Sequence, residues 1–364
     1  GLIPVRPAGV TGLVPVDGTT SANEWLGYIP FDSLPRVLNP DSGYIHSANE
    51  ALVPLDYYTQ LGNQLSDQFG ADSNYVISTS WDYGYRGQRI VELLTSEAPF
   101  NVDKFKQIQA DTKLISAVEI TPYLQDLQFD DAAVTEARDW LLQWDYQMNM
   151  DSPQPVLYAN FWGRLVNNLY NDELGDLGPS GRGSQEMWAT RLLLDKADDA
   201  WWDDTVTADV TETRDDILKK SFEEAYASSV KALGSDKTKW TWGAIHTTTF
   251  VSNPLGGSGI APIEDIVNRG PVATSGGTAT VSAASWSKDD TTFEVGSGSS
   301  FRMIVDLNDL ANSVDMHTTG QSGHPFSPYY DMMIDSWRKV QYKPMLWTDD
   351  QVNAAAKNTL TLKP

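Results

Sequence analysis

The chain has 364 residues, enough to bury a large core as one big domain or two. Its 26 Lys and Arg stand against 49 Asp and Glu, and the net charge of −23 argues against nucleic acid and anionic membranes as partners, since both need a basic face. It contains no cysteine, which excludes disulfides, thiolate metal sites and a cysteine nucleophile within these residues.

No apolar run approaches the ~18 residues of a membrane span. The sequence opens on Gly1-Leu2-Ile3-Pro4, with no initiator Met and no signal peptide, and reads as the middle of a longer protein. Residues 1 to about 60 are rich in Pro and Gly with short apolar runs, which predicts loops and short strands. Within them the stretch 39–49, NPDSGYIHSAN, carries a turn cluster at 39–43, the apolar pair Tyr44-Ile45 and a polar end at 46–49. An amide closing such a loop can aim its NH2 group at an oxyanion. It can equally close an Asx-turn, which composition alone favours.

A short helix is expected at 57–70 and another at 85–95, where Ile90, Leu93 and Leu94 share a face and Pro99 closes the segment. Helical period continues over 101–127, with Asn101 as N-cap, Phe105, Ile108, Ile115 and Val118 as core, and Pro122 at a break or in a first turn. Residues 130–145 form an amphipathic helix through Val134, Ala137, Leu141 and Trp144. Further helices are expected at 155–170, 184–194 and 195–202. The strongest pattern is 213–233, striped by Ile217, Leu218, Phe222, Ala225, Tyr226 and Leu233 and stopped by Gly234.

The character then changes. Strands are expected at 240–251, 277–286, 291–295 and 300–307, separated by Gly- and Ser-rich turns. Helix returns at 331–340, and the last twenty residues are expected to dock as a tail. A helical middle between β-containing ends makes the class α+β, with the ends sharing a sheet system. Four segments follow from this reading: 1–84 with loops and short strands, 85–236 mainly helical, 237–310 with strands, and 311–364 with a Gly/Pro loop, a helix and the tail.

The chemistry-bearing residues are sparse. His46, His246, His317 and His324 show no metal-ligand spacing, and there is no nucleophile elbow or Walker A motif. The stretch 296–300, GSGSS, reads as a hairpin loop. Asp198, Asp199, Asp203 and Asp204 read as a solvated helix end in preference to a cation site. His246, in WTWGAIHTTTF, reads as a satisfied polar group beside a sheet, and 321–327 as a rigid loop that does no chemistry.

Three blocks of sequence, in order, resemble the penicillin acylase family of N-terminal-nucleophile hydrolases. The first runs through Asp17-Gly18, Glu24-Trp25-Leu26-Gly27, Ile29-Pro30, Leu34-Pro35, Asn39-Pro40, Gly43-Tyr44-Ile45 and Ala48-Asn49. The second is Trp242-Gly243 with His246. The third is Gly320-Gln321-Ser322-Gly323 through Pro325, Ser327-Pro328 and Tyr330. The resemblance covers essentially the whole chain.

It implies a partial αββα sandwich with a large helical insertion, some of whose strands lie upstream. It also implies hydrolysis of an acyl-amide bond through an acyl-enzyme, by a Ser, Thr or Cys exposed at a new N-terminus whose own α-amine is the base. Gly1 has no side chain to play that part, so the resemblance places the nucleophile outside these residues and implies that they are inactive alone. The same spacing assigns the oxyanion role to Asn49. It assigns support of the nucleophile region to Arg86, which heads R-x-x-x-I-x-x-L-L, with Arg89 as the competing choice and a surface ion pair as the plain alternative for Arg86.

By the same resemblance no cofactor is required. Structural calcium is known in some members, with its ligands largely upstream, and none is assigned here. The partners implied are a small acylated amide substrate and the remaining parts of the same precursor, without nucleic acid or a membrane span, in a periplasmic or extracellular setting. β-Lactam side chains and N-acyl-homoserine lactones both stay open as substrates. Two other readings stay open as well: a non-catalytic extracellular binding module that kept the fold, and a glycan-active protein, which would need a carboxylate pair across a cleft.

Overall fold

The computed structural model describes residues 2–51, 53–96, 99–288 and 292–363. Gly1 and Thr291, which figure in the readings above, lie outside the described residues. The chain divides into two compact units, Gly1–Gly87 and Gln88–Pro364.

In the first unit, β1 (Pro4–Val5) pairs antiparallel with β2 (Gly27–Tyr28). Helix α1 (Leu55–Phe69) supplies the opposing apolar face, and Val5, Ile29, Leu61, Leu65, Ala71 and Tyr75 are buried together. Each such fully buried aliphatic side chain contributes about 1.5–3 kcal/mol relative to exposure. The helix ends where Gly70 takes the left-handed conformation at φ 70° and its N–H closes on Ser66. Gly62 is required by packing, since a Cβ there would sit 1.9 Å from the Ser73 carbonyl oxygen. Tyr75 donates its hydroxyl to the Pro4 carbonyl at 2.6 Å, which ties the far end of this core to β1.

Helix α2 (Tyr85–Ser96) begins in the first unit and continues into the second. Next come α3 (Val102–Gln109), capped by Asn101 through Lys104 N–H, and α4 (Ile115–Ile120). A 3-10 turn follows at Thr121–Leu124, with Pro122 in its first turn. The helical period expected over 101–127 is thus broken in three. Ile108 and Ile115 are core, whereas Phe105 is exposed.

After α5 (Ala132–Leu141), the centre of the second unit is α6 (Gln154–Leu174). It is apolar nearly all round and accordingly buried, with Val156, Leu157, Phe161, Leu165, Val166 and Leu169 fully enclosed. Helix α7 (Ser184–Leu194) follows, and the expected helix 195–202 reduces to a 3-10 turn at Ala200–Trp202. That segment is held instead by side-chain caps, Asp199 accepting from Trp201 N–H and Asp203 from Glu212 N–H.

Helix α8 (Arg214–Leu233) packs along α6 through Ile217, Leu218, Phe222 and Ala225. It opens on a capping box between Thr213 and Asp216, and it ends at Gly234 with φ 85°.

The β-rich remainder consists of short antiparallel pairs, with α9 (Ala261–Val267) between the first two strands. β3 (Thr247–Phe250) pairs with β4 (Arg269–Ala273), and β5 (Ala284–Ser285) with β6 (Ser297–Gly298). β7 (Phe301–Ile304), β8 (Val314–His317) and β9 (Lys343–Pro344) form a three-stranded sheet against α10 (Ile334–Arg338). Along β7, Arg302 and Ile304 point inward while Phe301 and Met303 stay exposed.

Several expectations change here. The run 240–251 is a 3-10 turn at Trp242–Ala244 before its strand, and 277–286 contributes only two strand residues. Among the described residues of 291–295 there is no strand, and Phe293 has φ 48°. β6 falls in the stretch read as a hairpin loop, because backbone pairing with β5 orders it despite its composition. Each sheet lies within one unit among the described residues, so the expected sheet shared by the two ends is not formed.

Helix α11 (Asp349–Ala355) follows β9, and Gln351 reaches the Ala311 carbonyl. Beyond it the chain is exposed through Leu360 and Leu362, so the terminal residues are not docked. The class is α+β, with a helical second unit carrying small antiparallel sheets.

Candidate active site

The loop 39–49 is built from turns. Gly43 donates its N–H to Pro40 at 2.9 Å, and Asn39, Gly43 and Asn49 all take positive φ. Asn49 sits at φ 68°, in the left-handed region that Asn tolerates better than most side chains. Asn39, Pro40, Gly43, Tyr44 and Ile45 line a shallow hollow of about 460 Å³.

The end of this loop is locked to the segment that starts α2. Asp82 N–H donates to the Asn49 carbonyl at 2.8 Å, and Glu50 bridges Asp82 in parallel register. Glu50 folds back to accept from Ala48 N–H at 2.6 Å, and its Oε1 lies 3.4 Å from His46 Nε2. Gly87 lies directly under that carboxylate, where a Cβ would come 3.2 Å from Glu50 Cδ, so a side chain here would press on the Glu50 carboxylate.

Arg86 occupies the first turn of α2. Its Nη2 donates to the Ala48 carbonyl at 2.8 Å and to Asn49 Oδ1 at 2.9 Å, with Asp82 Oδ2 at 3.4 Å. A guanidinium has donors and no acceptors, so the atom of the Asn49 amide that faces it is the oxygen. The NH2 group therefore points away from Arg86, and Asn49 is exposed. The arrangement presents a fixed, solvent-accessible N–H donor whose partner carbonyl is polarised by a cation, which strengthens the donor.

The two residues that the resemblance singled out, Asn49 and Arg86, are thus brought into contact. Arg89, the competing choice, is committed elsewhere. Its Nε and Nη2 hold both oxygens of Asp111 at 3.0 and 2.8 Å, and Nη1 meets Glu92 at 3.0 Å. Its hydrogen bonds to Asp111 raise its pKa further. Sequence reasoning missed Glu50 and Asp82, which shape the Asn49–Arg86 pair; in a chain with 49 acidic residues, neither carries a distinguishing signal.

The other candidates are packed or bonded within the fold. His246 is fully buried, stacks on Trp242 at 4.3 Å and lies at 2.7 Å from the Phe293 carbonyl through Nδ1. A carbonyl can only accept, so Nδ1 carries the proton, and the buried Nε2 has no hydrogen-bond partner among the described residues, so the ring is only half satisfied, unlike the satisfied group expected. Burial pulls its pKa down to about 4, against a small upward pull from the Phe293 bond. In the loop 321–327, the N–H groups of Gln321 and Ser322 both donate to the Tyr329 carbonyl. Asp204 accepts from Val206 N–H and Lys220. Among the described residues no group of three or more His, Asp or Glu side chains is placed to hold a metal ion, and no helix is long and apolar enough to cross a membrane.

A profile of the penicillin amidase family matches residues 1–354, and the chain belongs to that family. It is 27% identical over 397 residues to the acyl-homoserine lactone acylase QuiP of Pseudomonas aeruginosa, and the match covers 100% of this chain and 44% of that protein. It is 28% identical over 393 residues to the penicillin acylase 2 proenzyme of Pseudomonas sp. strain SE83, again with 100% and 44% coverage. Among solved structures it superposes on the thermostable penicillin G acylase of Alcaligenes faecalis with a TM-score of 0.55 at 18% identity, over 100% of this chain and 64% of the other. That likeness establishes a shared fold. The chain spans less than half the length of the curated relatives it matches.

Proposed function

We propose that this chain is part of an amidohydrolase that cleaves an acyl-amide bond through an acyl-enzyme, with Asn49 donating its side-chain NH2 to the tetrahedral oxyanion. Arg86 is a positioning residue in this reading. It holds the Asn49 carbonyl and so turns the NH2 outward. The observation that carries the reading is that hydrogen bond, because it gives the Asn49 amide the one orientation an oxyanion can use. The nucleophile, a Ser, Thr or Cys with a free α-amine, is supplied from outside these 364 residues, which are inactive alone.

The nucleophile displaces the amine, which leaves with the proton taken up by the α-amine, and a water then hydrolyses the acyl-enzyme, so the reading requires no cofactor; calcium, where the full-length protein holds it, is structural. Names among the relatives point to two substrate classes, penicillins and acyl-homoserine lactones. Both join an acyl group to an amine, and the proposal covers that shared bond. A periplasmic or extracellular site of action goes with it.

The test is Asn49→Ala in the full-length, correctly processed protein. Losing one oxyanion donor lowers kcat by about 10²–10³, with little change in KM because the bond forms mainly in the transition state. Processing is checked first by mass spectrometry. A processed variant that keeps wild-type kcat would remove Asn49 from the mechanism.

A further inference from the structure

The second unit contains a pocket that the acylase reading does not use. It has a volume of about 480 Å³ and lies against α6 and α8. Three cations line it: Arg164 from α6, Lys231 from α8, and Lys288. No carboxylate lines it among the described residues. In a chain of net charge −23 this is the reverse of the average surface.

Two of the three cations are held in place. Arg164 Nη2 donates to Ser228 Oγ at 3.1 Å across the two helices, and Ser228 lies one turn before Lys231 on the same face of α8. The Lys288 ammonium donates to Asn171 Oδ1 at 2.8 Å, and its backbone N–H to the Ser180 carbonyl at 2.9 Å. Neither Arg164 nor Lys231 forms an ion pair among the described residues, in contrast to Arg89, Arg191, Arg214 and Arg269. The remaining wall is apolar, from Ala159, Ile245 and Phe293.

We propose that this pocket binds a small organic carboxylate, its charged head against Arg164 and Lys231 and its hydrocarbon body against Ile245 and Phe293. The volume falls within the range of small-molecule sites. The net negative charge of the chain does not oppose this, because fields from surface charges are screened within about 8 Å at physiological ionic strength, while the lining cations act at contact. Arg164 offers free donors in a planar fork that matches a carboxylate.

The test uses isothermal titration of the full-length protein with octanoate, with octanamide as the neutral control and inorganic phosphate as the anion without a hydrocarbon body. Octanoate is expected to bind, and the two controls to bind at least about tenfold more weakly. The double substitution Arg164→Gln, Lys231→Gln weakens octanoate by at least about tenfold, since each charge-assisted bond carries roughly that factor. Both positions are exposed, and circular dichroism verifies the fold. Arg164→Lys, which retains the charge and loses the planar fork, binds octanoate more weakly than wild type and more tightly than Arg164→Gln. Amidase turnover is unchanged in all these variants. Octanoate binding that survives the double substitution, or phosphate binding as tightly as octanoate, overturns the proposal, as does absence of octanoate binding to the wild-type protein.

Discussion

Arg86 donates to Asn49 Oδ1 at 2.9 Å and, from the same nitrogen, to the Ala48 carbonyl at 2.8 Å. One guanidinium thus fixes both the backbone leading into Asn49 and the rotation of its amide. The Asp82 N–H bond to the Asn49 carbonyl holds the same turn from the other side. A left-handed, exposed residue would otherwise sample several amide orientations, and only one of them presents NH2 outward.

If Arg86 acts through Asn49, removing both residues should cost little more than removing Asn49 alone. Arg86→Gln is expected to lower kcat by about tenfold to a hundredfold in the full-length enzyme, since it removes orientation and leaves the donor itself. In an Asn49→Ala background the same substitution should change kcat by less than about threefold. Full additivity in this double-mutant cycle would show that Arg86 works independently of Asn49.

Arg89, three residues along the same helix, should behave in the opposite way. Its bidentate pair with Asp111 is only partly exposed, and breaking it leaves that carboxylate short of two charge-assisted bonds. Arg89→Gln is therefore expected to lower stability by about 1–3 kcal/mol, read from urea midpoints, and to leave kcat and KM unchanged. A drop in kcat without loss of stability would reassign the two arginines.

The contrast between Arg86 and Arg89 marks what was legible in the sequence. Helix α8 was readable because its stripe, its Thr213–Asp216 capping box and Gly234 all agree. Strand β4 was not, since it contains Pro271, which denies a backbone donor, and it is tolerated there only in a two-stranded ribbon. β6 was hidden by a Gly/Ser composition that signals turns. Asn49 and Arg86 were reached through resemblance, and no local property separates them from neighbouring amides and cations. Glu50 and Asp82 act through long-range pairing across thirty-odd residues, which periodicity cannot report.

Gly62 gives a sharp test of the first unit. Helix α1 lies so close to the following turn that a methyl group at position 62 would overlap the Ser73 carbonyl oxygen, a backbone atom that cannot rotate away. Gly62→Ala improves intrinsic helix propensity by about 1 kcal/mol. The clash outweighs that gain, because either α1 or the 70–75 turn must shift and disturb the buried Leu61, Leu65 and Tyr75. The net expectation is a loss of about 1–3 kcal/mol, seen as earlier proteolysis within residues 1–87. A variant more stable than wild type would show that this packing is looser than described.

His246 makes stability depend on pH in a defined window. Its ordinary pKa of 6.5 falls to about 4 in the folded chain, because burial beside Trp242 and Trp286 penalises the imidazolium. Above about pH 6.5 the ring is neutral in both folded and unfolded states, and its contribution to stability is fully present. Between 6.5 and 4 the unfolded chain takes up a proton that the folded chain does not, so stability falls as pH falls. Below about 4 both states are protonated and the loss levels off at roughly 3 kcal/mol. Carboxylates titrate in part of the same range, so the informative quantity is the difference between wild type and His246→Gln. Glutamine can still donate to the Phe293 carbonyl, and it carries no titrating group. Urea midpoints measured from pH 8 to pH 4 should converge as the wild type loses this increment and the variant does not. Parallel curves across that interval would mean that His246 keeps a normal pKa in the folded protein and is reached by water.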